Sequence, residues 1–143
     1  MRRMNLSKWL WLLTLIFICR VLGQFIVQWG DVSFLPSFDR WYSGALEYHY
    51  LLASQCLIIF VMSFVSYRID KALLRPSVQI GGVLQVIGWV YFSVMLVRWV
   101  IGVAELVDIT WFQRPIPSFF HMVLASYILI VAHYHKSAGL KDE

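Results

Sequence analysis

Eight side chains carry whatever chemistry this sequence can do: Arg20, Gln24, Glu47, His49, Gln55, Arg98, Glu105 and His121. The two guanidinium groups present a planar fork of donors suited to carboxylates and phosphates. Glu47 and Glu105 can serve them as counterions, while His49 and His121 can hold a proton or ligate an iron. Gln24 and Gln55 each offer an amide donor and a carbonyl acceptor. All eight lie in or beside long apolar runs, where unpaired polarity is expensive. Arg98, inside VMLVRWVIG, would cost about 2.5–3.5 kcal/mol at the centre of a membrane helix and less toward its end, so a partner is expected.

Spacing sorts these residues onto faces. Arg20, Gln24 and Gln28 recur every four residues, which makes one polar stripe that should look into protein or water. Tyr48 with Gln55, and His49 with Cys56, are seven apart, so each pair shares a face over two turns. Tyr91, Arg98 and Glu105 repeat the same interval, and beside them run Gly81, Gly88 and Gly102 with Met95 between. Small residues in such a row let helix backbones approach closely in lipid. This stripe is a packing seam, and a candidate surface for a homo-oligomer or a larger membrane complex.

Two ligand chemistries fit the eight. In one, His49 and His121 are axial ligands of a haem b whose propionates pair with Arg20 and Arg98. That arrangement describes a haem- or quinone-linked electron carrier of the cytochrome b kind. In the other, the arginines bind an anion or a lipid headgroup, with Glu47 and Glu105 as counterions when no ligand is present. A plainer arrangement has the same groups fix helix register, Arg98 pairing with Glu105 or Glu47 and Arg20 with Gln24 or Gln55.

Enzyme signatures are missing: there is no HExxH, GxSxG, phosphate-binding loop or dinucleotide fingerprint. Cys19 and Cys56 fall within apolar runs, without the outer-loop pairs that thiol-oxidising quinone enzymes use. Small multidrug exporters depend on a carboxylate in the first helix, where this chain has Arg20. His133 and His135, in HYHK, do not share a helical face and are read as snorkelling or solvated. The expected function is a non-enzymatic membrane subunit or a ligand-binding bundle, with the electron carrier as the second reading.

The elements that must position these residues follow from composition. Of 143 residues 60% are hydrophobic and 14% charged, and the mean hydropathy is +0.70. Such a chain requires a bilayer as solvent. Four apolar segments, about 9–28, 45–67, 79–104 and 117–134, are each long enough to span. They predict an all-α, single-domain, integral membrane four-helix bundle covering residues 1–143. The basic start and the apolar run from Trp9 also outline a signal peptide, but the run resumes after Arg20 with no small-x-small site, which favours a retained helix. Between the first two spans, Phe34, Phe38, Trp41 and Tyr42 suit the headgroup zone, with a short interfacial helix after Pro36.

Charge sets the orientation. Arg2, Arg3, Lys8, Arg68, Lys71, Arg75, Lys136 and Lys141 fall on one side of the spans, against Arg40 and Arg114 on the other. The positive-inside rule then puts both termini in the cytoplasm, as in a bacterial-type inner membrane. Because the basic residues sit at helix ends, the net charge of +4 is a matter of topology and not of nucleic-acid binding. With that orientation the eight candidate residues converge on the outer half of the bilayer as one polar site.

Overall fold

The structure is a computed structural model that describes residues 2–30, 34–35, 37, 47–104 and 115–139. Four helices make up its regular structure: α1 (Arg2–Trp29), α2 (Tyr48–Asp70), α3 (Val78–Val103) and α4 (Pro115–Gly139). Each is long and apolar enough to cross a membrane. Helix is the natural form for such segments, since in hydrocarbon every backbone N–H and C=O must be satisfied within the segment. The expected interfacial helix after Pro36, the aromatics Phe38, Trp41 and Tyr42, and Glu105 lie outside the described residues.

α1 begins seven residues before the expected start at Trp9, and α4 runs five residues past Tyr134. Tertiary contacts account for both extensions. Ser7 is buried and donates to Asp70 Oδ1 at 2.8 Å, while the Tyr134 hydroxyl donates to the Leu74 carbonyl at 2.8 Å. His135 is buried, and its Nδ1 accepts from the Ser77 amide at 3.1 Å. His135 is therefore a structural residue that ties α4 to the start of α3, which corrects its reading as snorkelling or solvated. These contacts also bring the beginning of α1, the end of α4 and the 71–77 connection to one end of the molecule.

That connection is closed by local chemistry. Leu73 N–H reaches the Arg68 carbonyl at 2.8 Å and Ala72 N–H the Ile69 carbonyl at 3.2 Å, which is the double bond of a Schellman ending. Its left-handed position is Ala72, with φ 58°. Pro76 stops continuation, and Ser77 caps α3 by accepting from Ile80 N.

The core belongs to α1, α2 and α4. Leu10, Phe17, Val21, Met62, Ile69, Tyr127, Val131 and Tyr134 form one buried cluster. Within it the Tyr127 hydroxyl donates to the Met62 carbonyl at 2.7 Å, and lies 2.9 Å from Ser66 Oγ. Because a phenol has one proton to give, Ser66 is the donor in the second bond. α3 stands outside this cluster and packs along α4, burying Gly81, Gly88, Arg98 and Gly102. A Cβ on Gly88 would lie 2.7 Å from Leu129 Cδ2, and one on Gly81 would lie 3.0 Å from the Ala132 carbonyl oxygen. The glycine stripe is thus a seam within the chain, not a free surface for a second copy. Cys19 and Cys56 are both exposed on the outer faces of their helices.

Candidate functional site

α1, α2 and α4 enclose a cavity of about 260 Å³ in the half of the bundle away from the 71–77 connection. Each helix supplies it by helical periodicity. Phe17 and Arg20 come from α1, three apart; Leu51, Ser54, Gln55 and Ile58 come from α2; Pro117, Phe120, His121 and Leu124 come from α4. On α2 and α4 the spacing is i, i+3, i+4, i+7, one side of a helix over two turns. The depth is shared as well. Arg20 is nine residues from Trp29, Gln55 seven from Tyr48 and His121 six from Pro115, or roughly 9–14 Å from that end at 1.5 Å per residue.

Arg20 is the costly member. It is 7% exposed, its guanidinium carbon lies 5.5 Å from the centre of the Phe120 ring, and its Nε has no hydrogen-bond partner among the described residues. No carboxylate pairs with it among the described residues. Gln24 and Gln55, both buried, bond to each other instead, with Gln55 Nε2 donating to Gln24 Oε1 at 3.1 Å. The register-fixing bond expected from Arg20 to a glutamine is therefore made between the two glutamines. Gln24 Nε2 and Gln55 Oε1 are left without partners among the described residues. Arg20, Gln24 and Gln55 thus join a cationic group, surplus donors and a spare acceptor at one place.

His121 closes the other side. Its Nδ1 shares a hydrogen with the Tyr91 hydroxyl of α3, and the two rings meet edge to face with centroids 5.9 Å apart. Arg20 and Arg98 both lie near enough to His121 to act on it electrostatically. Arg98 itself is buried on α3, one heptad beyond Tyr91. Three predicted residues, Arg20, Gln55 and His121, therefore line the cavity, with Gln24 bonded to Gln55 and Arg98 near His121.

Glu47 and His49 are not gathered there. His49 Nε2 lies 3.0 Å from Glu47 Oε2, with the Glu47 and His49 side chains 73% and 71% exposed respectively. His49 instead stacks at a tilt on Tyr50, with centroids 4.6 Å apart. It faces outward while His121 faces Tyr91 and the cavity, so the two imidazoles do not confront each other across a common space. Among the described residues no cluster of three or more His, Cys, Asp or Glu side chains is placed to hold a metal ion.

The chain matches no family model, no curated protein and no solved structure. Its site has to be read from its own chemistry. Sequence reasoning missed the cavity's walls, Phe17, Leu51, Ile58, Pro117, Phe120 and Leu124. A signal for them was present, because stepping three, four and seven residues from Gln55 and His121 along each helix reaches most of them. Ser118 was also missed; it is fully buried three residues before His121, and its hydroxyl has no partner among the described residues.

Proposed function

We propose that this protein is a ligand-binding membrane bundle whose cavity receives the anionic group of an amphiphile. The observation that carries this reading is Arg20, a buried cation that lines the cavity and has no paired carboxylate among the described residues. An uncompensated charge in an apolar interior is strongly destabilising, and an anion entering beside it removes that penalty. The apolar lining from Phe17, Leu51, Ile58, Phe120 and Leu124 suits the hydrocarbon part of the same ligand. Gln55 and Ser54 on the wall supply orientation, with Ser54 Oγ already held by the Leu51 carbonyl at 2.7 Å.

In this reading both termini face the cytoplasm of a bacterial-type inner membrane, and the cavity opens in the outer leaflet. The basic end supports that orientation, since Lys8, Arg68, Lys71, Arg75 and Lys136 all lie on or near it.

The test compares wild-type protein with Arg20→Gln, both purified from the same membranes. Mass spectrometry of the bound amphiphiles should find an anionic species retained by the wild type and depleted in the variant. Adding that species back at about a hundred times its Kd should stabilise the wild type by about 2.7 kcal/mol and leave Arg20→Gln unmoved. Identical amphiphile content in the two proteins, with identical melting on addition, sinks the reading.

A further inference from the structure

A second cavity, of about 450 Å³, lies between α3 and α4 toward the opposite end of the molecule, lined by Gln85, Trp89, Leu129, His133, Lys136 and Ser137. Its defining contact is Lys136 Nζ donating to Gln85 Oε1 at 2.7 Å. A lysine near a membrane edge ordinarily extends its ammonium outward to water. Lys136 does the reverse. α4 starts at the far end of the bundle, so its Cα–Cβ bonds tilt back into the membrane, and Gln85 lies eight residues beyond the Ser77 cap, about 12 Å along α3. The ammonium is therefore held below the helix ends.

Gly81 makes that route available. A Cβ there would sit 2.7 Å from Lys136 Cγ, so the lysine stem crosses α3 over the place of a missing side chain. An ammonium carries three donors, and Gln85 takes one of them. Among the described residues no carboxylate pairs with it. Asp70 is the one carboxylate among the described residues at this end, and it accepts from Ser7. Arg68, Lys71 and Arg75 add to the positive field.

We propose that this crevice is a binding site for an anionic phospholipid of the leaflet on the basic side. Its phosphate diester accepts from Lys136 beside His133, and the first part of an acyl chain runs along Trp89 and Leu129, which lie deeper in the same crevice. Charge complementarity chooses the headgroup, and the aromatic and apolar floor chooses a lipid over a free phosphate. Nothing in this site depends on Arg20 or on what fills the other cavity.

The experiment titrates delipidated protein in detergent with phosphatidylglycerol or phosphatidylcholine and counts bound lipid by native mass spectrometry. Wild type should prefer phosphatidylglycerol by about fivefold or more. Lys136→Gln should lose that increment, Lys136→Arg should keep it, and Arg20→Gln should keep it too, which separates this site from the first. Ser137→Asp places a negative charge on the wall with Lys136 intact and should also abolish the preference, so the idea stays testable if Lys136→Gln does not fold. Equal binding of the two lipids by wild type, or a preference unchanged in Lys136→Gln or Ser137→Asp, overturns the assignment.

Discussion

Gln24 and Gln55 are worth more as a pair than either is alone. Their amides bond at 3.1 Å between α1 and α2, and the two residues are 0% and 3% exposed. Replacing one by leucine leaves the other amide without its partner in an apolar interior, a loss of about 1–3 kcal/mol. Replacing both removes the polarity altogether, so Gln24→Leu/Gln55→Leu should be less destabilised than the two single variants add up to, by about 1 kcal/mol or more, in reversible unfolding from detergent micelles. Strict additivity would show that the two amides do not act together. These glutamines, with Arg20 and His121, were legible in the sequence because polar groups inside long apolar runs are costly enough to need a reason. Tyr127, Tyr134 and His135 were not legible. Tyr127 is one more ring in mid-span and Tyr134 and His135 sit where a polar tip can reach water, and only the fold reveals that their polar atoms reach Met62, Leu74 and Ser77.

Among the elements, α3 shows most directly how sequence became packing. Its buried residues are three glycines and Arg98, so it contributes backbone proximity where the other helices contribute side chains. The clearances rank its substitutions. At Gly81 an added Cβ meets the Ala132 carbonyl oxygen and His135 Cβ, each at 3.0 Å, and a backbone atom cannot rotate away; at Gly88 the obstacle is the end of Leu129; at Gly82 nothing lies within 4 Å. Gly81→Ala should therefore cost about 1–3 kcal/mol and Gly88→Ala less. Gly82→Ala should be neutral or stabilising by up to about 1 kcal/mol through helix propensity. Melting temperatures of the three variants give the order, and a Gly82→Ala as damaging as Gly81→Ala would contradict this seam. The glycine row was visible as a heptad in the sequence, but its partner was not. Periodicity identifies a face that another helix covers, and it is silent on whether that helix belongs to the same chain. Helix existence and face were readable from hydropathy and spacing; the ends of α1 and α4 were set by contacts between residues more than fifty positions apart.

For the whole molecule, the decisive asymmetry is between its two ends. One end carries Lys8, Arg68, Lys71, Arg75 and Lys136, drawn together by the Ser7–Asp70, Tyr134–Leu74 and Ser77–His135 bonds. The other half holds the Arg20 cavity. The two cavities thus lie toward opposite ends of the molecule, and in the proposed reading the side on which the basic end lies decides which leaflet supplies each ligand. Moving these five basic residues and the 71–77 connection across a bilayer is opposed by the bias that holds lysine and arginine on the cytoplasmic side. Orientation can be read by labelling. Cys19 and Cys56 are exposed, so both are first replaced by serine, and single cysteines are introduced at Asp31 or Lys71. A membrane-impermeant maleimide added to intact cells should label the Asp31→Cys protein and leave Lys71→Cys unlabelled until the membrane is opened. Labelling of Lys71→Cys from outside would invert the molecule. The anionic amphiphile would then be drawn from the inner leaflet, and the Lys136 crevice would face the outer leaflet, where its phospholipid would have to be found.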